Sequence, residues 1–521
     1  MIARLHSASV TGIEGYEVQV EVDVQKVEET GRFSVVGLPD AAVRESIQRV
    51  TSALQNSHFF CPGQIAVTVN LAPADVRKQG PGFDLPIALG LEIAIQNNYS
   101  GLPESYRRRV PLRVDEWCIV GELALDGAVR GVRGVLPQAV AARDAGRKYL
   151  MVSPENAQEA AAVEGLKVYA VETLYDAWMT LLEPECFETI EPEATPDYTE
   201  SNIDFDEIKG QPYARRAMEI AAAGGHNLLM SGTPGSGKSM LAARLPTILP
   251  PMTHDETLAV SKIHSVCGLL PKGVGLLRHR PFRAPHHTIS DVGLMGGGSN
   301  ITPGEITLAH HGVLFLDEFP EFNRRTLETL RQPLESGVVT ISRASGSMDF
   351  PCQFMLLAAM NPCPCGYMGD PRHSCRCKPA EVERYRRKIS GPILDRFDMV
   401  IEVPPVDPAS LLHKPDGESS AEIRARVTAA RAIQHKRYAG TGITCNARLS
   451  GKMLRLHCPL SEQQQSLLLV AVEQFGLSAR AFDRILRVTR TIADLAGRET
   501  PAEQDLLEAI QFRQYEAQLR G

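Results

Sequence analysis

The sequence predicts an α/β protein built around a nucleotide-binding sheet, and three observations carry that expectation. In HNLLMSGTPGSGKSML (226–241) an apolar stretch, a glycine-rich turn and a helix-like start follow one another. GVLFLDEF (312–319) is a second apolar run that delivers two carboxylates, and FMLLAAMN (354–361) is a third that ends on an amide. Uninterrupted apolar runs closed by polar residues are the pattern of a mostly parallel sheet covered on both faces.

Before that core, residues 1–182 carry short alternating runs such as YEVQVEVDV (16–24) and IAVTVNL (65–71), interleaved with helix-like stretches such as LPQAVAARDAG (136–146). Alternation of period two marks half-buried strands, so a separate α/β domain is expected there. Residues 183–202, EPECFETIEPEATPDYTESN, are rich in Glu and Pro and read as a solvated linker. The nucleotide-binding domain then spans 203–405, and 406–521 turn helical. Ser461 with Gln464 makes a capping-box pattern, Ser478 opens a helix, and Thr500, Pro501 and Glu503 predict a third start. A small C-terminal helical domain follows from these.

At 521 residues the chain is long enough for about two to four domains. Its net charge of -7 leaves the partner open, since a local basic surface can hide in such an average. The opening MIARLHSASVTGIEGYEVQVEVDV lacks a basic stretch followed by an apolar one, and no uncharged apolar run of about 18 residues occurs elsewhere. A cytoplasmic location with no membrane contact is expected. Seven of the eleven cysteines are scattered, as reduced, mostly buried thiols would be.

The turn between 232 and 239 contains the full G-x-x-x-x-G-K-S pattern: Gly232, Thr233, Pro234, Gly235, Ser236, Gly237, Lys238 and Ser239. Glycines let backbone N–H groups curl around phosphate oxygens, Lys238 reaches the outer phosphates, and Ser239 offers a hydroxyl to Mg²⁺. Asp317 is the metal-side carboxylate and Glu318 the candidate that orients the attacking water, which makes ATP hydrolysis the expected chemistry. Asn361, closing its own strand, is placed to help position that water. Arg396 in GPILDRF and Arg480 in LSARAF are candidates to stabilise transition-state charge, with ordinary surface arginines as the alternative.

The four remaining cysteines, Cys363, Cys365, Cys375 and Cys377, form two Cys-x-Cys pairs. Four thiolates suit a closed structural zinc site. An iron–sulfur cluster and metal-free thiols are the other readings, and His373 is a spare ligand. A basic stretch, EVERYRRKISG (381–391), follows on an expected helix. The module is expected to stiffen an insertion at 363–377, with DNA contact secondary.

GTPGSGKS, RPFRAPHHTIS (280–290), PGEITLAHHGVLFLDEF (303–319), AAMNPCPCG and ISGPILDRF together resemble the Mg-chelatase-like branch of the AAA+ ATPases, and its ComM/YifB subfamily over essentially the whole chain. The resemblance implies an AAA+ P-loop NTPase core with a helical lid. It also implies Gly210 and Gln211 near the adenine, Asn361 as sensor one, Arg396 as an arginine finger acting on the neighbouring subunit, and Arg480 as the sensor-two arginine. A homo-oligomeric ring, most simply a hexamer, goes with a finger acting in trans. The first domain resembles the Lon-protease fold in a catalytically degenerate form. In GPGFDLPIALGL (80–91) Gly82 stands at the nucleophilic serine's place, and in GAVRGVRGVLPQAVAA (127–142) Leu136 stands at the catalytic lysine's. Neither supplies a nucleophile or a base; Ser7, Ser9 and Lys78 are the remaining residues able to replace them.

Members of the resembled subfamily drive ATP-dependent branch migration, helping incoming DNA integrate by homologous recombination during natural transformation. The resemblance therefore implies single-stranded and branched DNA as partners. Lys272, Arg278, Arg280, Arg283 and Arg343 are candidate phosphate contacts, while His286 and His287 are left without an assigned role. A magnesium-chelatase motor subunit, a protein-remodelling ATPase and a non-catalytic nucleotide switch are the competing expectations.

Overall fold

The computed structural model describes residues 2–28, 31–99, 101–193, 203–298, 301–343, 346–406 and 417–520. They fall into two compact units, Met1–Pro196 with Thr257–Leu277, and Asp197–Glu256 with Arg278–Gly521.

The first unit is built on a seven-stranded mixed sheet, in the order Arg32–Val36, Ile65–Ala72, Glu14–Lys26, Ala3–Thr11, Trp117–Ile119, Tyr149–Val152 and Lys167–Ala170. Its register explains the alternation in the sequence. Val20 faces Leu71, Val22 faces Val69 and Val24 faces Val67 across an antiparallel pair, so one face of both strands is buried. The helix Asp84–Asn98 packs against this sheet and is apolar almost all round, with Asp84 to Ile95 buried.

Thr257–Leu277 lies within the stretch that sequence composition assigns to the nucleotide-binding domain, yet it packs with the first unit. Leu258 and Leu276 join an apolar cluster containing Val135, Leu136 and Ala139. The expected linker also begins later than its composition suggests. Ile190 N–H donates to Val168 O at 2.8 Å and Glu193 N–H to Gln158 Oε1 at 2.9 Å, binding residues before 194 to the first unit. The rest of that linker, 194–202, lies outside the described residues, as do 407–416 at the expected start of the helical domain.

The second unit holds a five-stranded sheet in the order Phe282–Arg283, Val313–Leu316, Met355–Met360, Leu228–Ser231 and Met399–Glu402, every pair parallel. Leu228–Ser231, Val313–Leu316 and Met355–Met360 are buried throughout, which is why they read as continuous apolar runs. Parallel pairing sends all five C-terminal ends to one edge. The residues that follow each strand therefore gather there, in the position where ligands bind in open α/β sheets.

Helices Pro212–Gly224, Lys238–Ile248, Ser420–Arg437, Ala479–Leu495 and Glu503–Arg520 belong to this unit, the first four sharing its apolar core with Leu506 and Phe512 of the last. The Ser461–Gln464 box caps Glu462–Gln474, and Ser478 Oγ accepts from Ala481 N–H to start Ala479–Leu495. At the last helix the start differs from the expected one. It opens at Glu503, and Asp505, not Glu503, accepts the N–H of Ala502 at 2.8 Å. Among the described residues no helix is long and apolar enough to cross a membrane.

Candidate nucleotide site

The strand Leu228–Ser231 runs directly into the glycine-rich turn, and Lys238 begins the helix that follows. Gly235 (φ +76°) and Gly237 (φ +89°) take left-handed conformations that side chains disfavour, which curls the loop around a point in front of the helix N-terminus. Lys238 is buried there. Its Nζ donates to Gly232 O at 2.6 Å and Thr233 O at 3.0 Å, and lies 3.4 Å from Asn361 Oδ1. Burial pulls its pKa down to about 8, partly offset by Asp317. A buried ammonium held mainly by carbonyls is suited to meeting phosphate oxygens.

Ser239 Oγ donates to Asp317 Oδ2 at 2.7 Å, bringing together the hydroxyl and the carboxylate expected to hold Mg²⁺. That all-oxygen donor set fits a hard cation which completes its octahedron with water and phosphate oxygens. Glu318 takes a left-handed conformation (φ +51°), its N–H donating to Asp317 Oδ1 at 2.8 Å. Its carboxylate is exposed, with Oε2 3.1 Å from His287 Nδ1. A cavity of about 700 Å³ joins Lys238, Ser239, Asp317, Glu318, Asn361 and His287.

His287 is the participant that sequence reasoning left unassigned. It follows Phe282–Arg283, the edge strand, whose C-terminal end shares the site's side of the sheet. His286 packs against it with tilted rings, centroids 4.1 Å apart. The pair's position after a short strand on that edge was the signal, but a two-residue strand is invisible to periodicity.

Gln211 (φ +56°) precedes the helix Pro212–Gly224, and its Nε2 donates to Ser236 O at 2.6 Å and Pro404 O at 3.1 Å. Its Oε1 is buried with no partner among the described residues. An unpaired acceptor beside the phosphate loop fits the exocyclic amine of an adenine. Gly210 (φ +66°) supplies the preceding bend.

Arg480 lies close enough to Arg396 to help lower the Arg396 pKa, and neither lines the cavity around Lys238. Arg396 differs from a free finger. It is 6% exposed, paired to Glu335, and burial lowers its pKa. Arg480 is exposed.

Several expected phosphate contacts are used within the fold. Arg280 donates to Pro250 O, His311 O and Pro251 O and to Glu256 Oε2, and Arg283 pairs with both oxygens of Glu305. Lys272 pairs with Glu155 in the first unit. Arg278 and Arg343 are exposed, Arg343 on the hairpin Val338–Arg343/Gly346–Pro351. In the first unit Leu136 is fully buried, and Gly82 sits in a short turn against Val120 and Val132. Lys78 is buried, its Nζ donating to Pro73 O and Val76 O. Ser7 and Ser9 are buried in Ala3–Thr11.

The cysteines converge as expected. Sγ of Cys363 is 3.4 Å from that of Cys365 and 3.7 Å from that of Cys375, and all four sulfurs lie within 4.8 Å of one another.

Comparison with known proteins agrees with this geometry. The family described as "Magnesium chelatase, subunit ChlI" matches residues 204–411, "Subunit ChlI of Mg-chelatase" matches 20–156, and "Magnesium chelatase, subunit ChlI C-terminal" matches 417–513. The chain is 42% identical over 519 residues to Competence protein ComM of Haemophilus influenzae, covering 98% of this chain and 97% of that protein. It is 39% identical over 516 residues to the YifB protein of Salmonella typhimurium, covering 98% and 97%. Similarity to Lon protease 2 of Bacillus subtilis is weaker, 22% over 177 residues, 31% of this chain and 29% of that one. With a parallel sheet presenting a glycine-rich phosphate loop, an acidic pair and an amide at one edge, and with 42% and 39% identity to ComM and YifB over 98% of its length, the chain belongs to the ComM/YifB subfamily of the Mg-chelatase-like AAA+ ATPases.

Proposed function

We propose that this chain is an ATP-hydrolysing ring motor that acts on DNA, driving branch migration that promotes integration of incoming strands during natural transformation and homologous recombination. The observation that carries the reading is the assembled set of Lys238, Ser239, Asp317, Glu318 and Asn361 at one sheet edge, in a chain 42% identical to a protein named for competence. Each member has its work in phosphoryl transfer: Lys238 on the outer phosphates, Ser239 and Asp317 on Mg²⁺, Glu318 and Asn361 on the lytic water.

The ring, taken as a hexamer, supplies what one chain lacks. Arg396 and Arg480 stand outside their own chain's phosphate cavity and near each other, as suits a pair serving a neighbour's ATP. To do so Arg396 exchanges Glu335 for the phosphates. Leu456, Leu469 and Val470 are exposed on the C-terminal helices, apolar surface that subunit contact would cover. The hairpin bearing Arg343 gives an exposed cation for backbone phosphates, a contact that needs no base reading.

A magnesium-chelatase type of motor is the second reading, because the matching family descriptions name that enzyme's subunit. The two separate on a synthetic three-stranded or four-way DNA junction. ATP-dependent movement of the junction supports the DNA motor. ATP turnover that no DNA binds to or stimulates supports remodelling of a protein partner instead.

A further inference from the structure

We infer that Cys363, Cys365, Cys375 and Cys377 hold a zinc ion that fixes the phosphate loop and Asn361 for hydrolysis, through Gly366 packed on Pro234 and against Asn361. The proposal rests on the ATPase reading above and adds a metal-dependent control to that site.

The metal follows from the sulfur geometry. The separations of 3.4, 3.7 and 3.6 Å among Cys363, Cys365 and Cys375 approach the edge of a tetrahedron, about 3.8 Å for metal–sulfur bonds of about 2.3 Å. All four cysteines are free thiols, not disulfides. Soft thiolates in a closed set of four suit zinc in a structural role. Residues 361–378 contain no helix or strand, so no backbone ladder holds this segment, and the thiolate cluster is its cross-link.

The coupling follows from what the cross-linked segment touches. Cys363 lies two residues after Asn361, whose Oδ1 faces Lys238 Nζ. Gly366 N–H donates to Cys363 O at 3.0 Å, closing a turn at φ +85°. That turn brings Gly366 flat against the phosphate loop. A β-carbon on it would stand 2.7 Å from both Cδ and Cγ of Pro234 and 3.9 Å from Asn361 Cγ. On the other side of the cluster, the helix Pro379–Arg386 carries Tyr385, whose buried phenol lies beside the backbone of Asn361. Lys388 then pairs with Glu321 at 2.8 Å, three residues beyond Glu318. The metal segment thus flanks Asn361 and rests on the loop that holds the phosphates. Within its basic stretch Arg386 donates to Gln518 O, while Arg387 forms an exposed ion pair with Glu383.

The test is made on the full-length protein, with metal analysis and steady-state ATP turnover measured together. Wild type should carry one zinc per chain. Chelation, or Cys375→Ser, should remove it and lower kcat about tenfold or more with KM changed far less, as expected when a positioned group drifts; adding zinc back to chelated wild type should restore turnover. Gly366→Ala and Tyr385→Phe keep all four thiols. They should retain zinc and a wild-type circular dichroism spectrum, yet lose kcat in the same way. Absence of zinc from active wild type, iron in its place, or turnover unchanged by zinc removal or by both of these variants overturns the inference. Wild type that turns over no ATP would sink the ATPase reading and this coupling with it, whereas turnover indifferent to zinc sinks the coupling alone.

Discussion

Glu318 Oε2 stands 3.1 Å from His287 Nδ1, so the carboxylate assigned to the lytic water is tethered to a ring in the segment that follows a different strand of the sheet. The tether matters because Glu318 is more than half exposed and its backbone is in the left-handed region, leaving its side chain few other restraints. His287 itself is steadied by His286 and by an edge contact with Phe322. We predict that His287→Ala lowers kcat about tenfold, roughly 1.4 kcal/mol in the barrier, with little change in KM. His287→Asn, which keeps a nitrogen donor near Nδ1, should recover most of the loss. Steady-state ATPase assays decide it, and an unchanged kcat in the alanine variant would remove His287 from this role.

Glu318→Gln should separate binding from turnover. The amide keeps the size of the carboxylate but neither orients water as a base nor carries its charge, so ATP binding and assembly should persist while turnover falls on the order of a hundredfold or more. Binding of a fluorescent ATP analogue alongside phosphate release measures both. Wild-type turnover in this variant would move the catalytic role elsewhere.

Lys238 makes nucleotide binding depend on pH. Its pKa is lowered to about 8 by burial, and contact with a triphosphate raises it by favouring the charged form. Below about pH 8 the amine is already protonated and this group leaves affinity flat. Above it, binding must take up a proton, so affinity falls by as much as about tenfold per pH unit until the bound-state pKa is passed. Calorimetry at pH 9 in two buffers of different ionisation enthalpy should register uptake approaching one proton per ATP, and no uptake would contradict the assignment.

The pairing of Arg396 with Glu335 gives the ring proposal its own check. Arg396→Ala should leave ATP binding intact and turnover low, because each site loses its neighbour's charge. Lys238→Ala should lose binding at its own site yet keep Arg396. Mixed together, the two should regain turnover above either alone, since a sound phosphate site then meets a sound arginine across the interface. A mixture no more active than its components would place Arg396 outside the neighbour's reaction.

Much of this site could be read from the sequence because its parts are local. The phosphate loop, Asp317 and Glu318, and Asn361 each follow a fully buried strand within an apolar run, and parallel pairing guarantees that such ends meet. What escaped depends on distant neighbours. His287 follows a strand of two residues, too short for any period to reveal. The ion pair of Arg396 with Glu335 and the internal use of Arg280 depend on tertiary packing that charge patterns do not encode. Thr257–Leu277 belongs with the first unit because Leu258 and Leu276 find apolar partners there, across a separation in sequence that composition does not see. The cysteines were legible as a cluster, but the packing of their segment on Pro234 and Asn361 was not, since it runs through a glycine without a side chain and a tyrosine on a later helix.

The central claim, that ATP hydrolysis at this site moves DNA, is tested most directly on a labelled three-stranded junction incubated with purified wild type and with Glu318→Gln. The account predicts that wild type with ATP and Mg²⁺ displaces the labelled strand, and that neither Glu318→Gln nor wild type with a non-hydrolysable analogue does so. Robust ATP turnover by wild type with the junction left unmoved would contradict it.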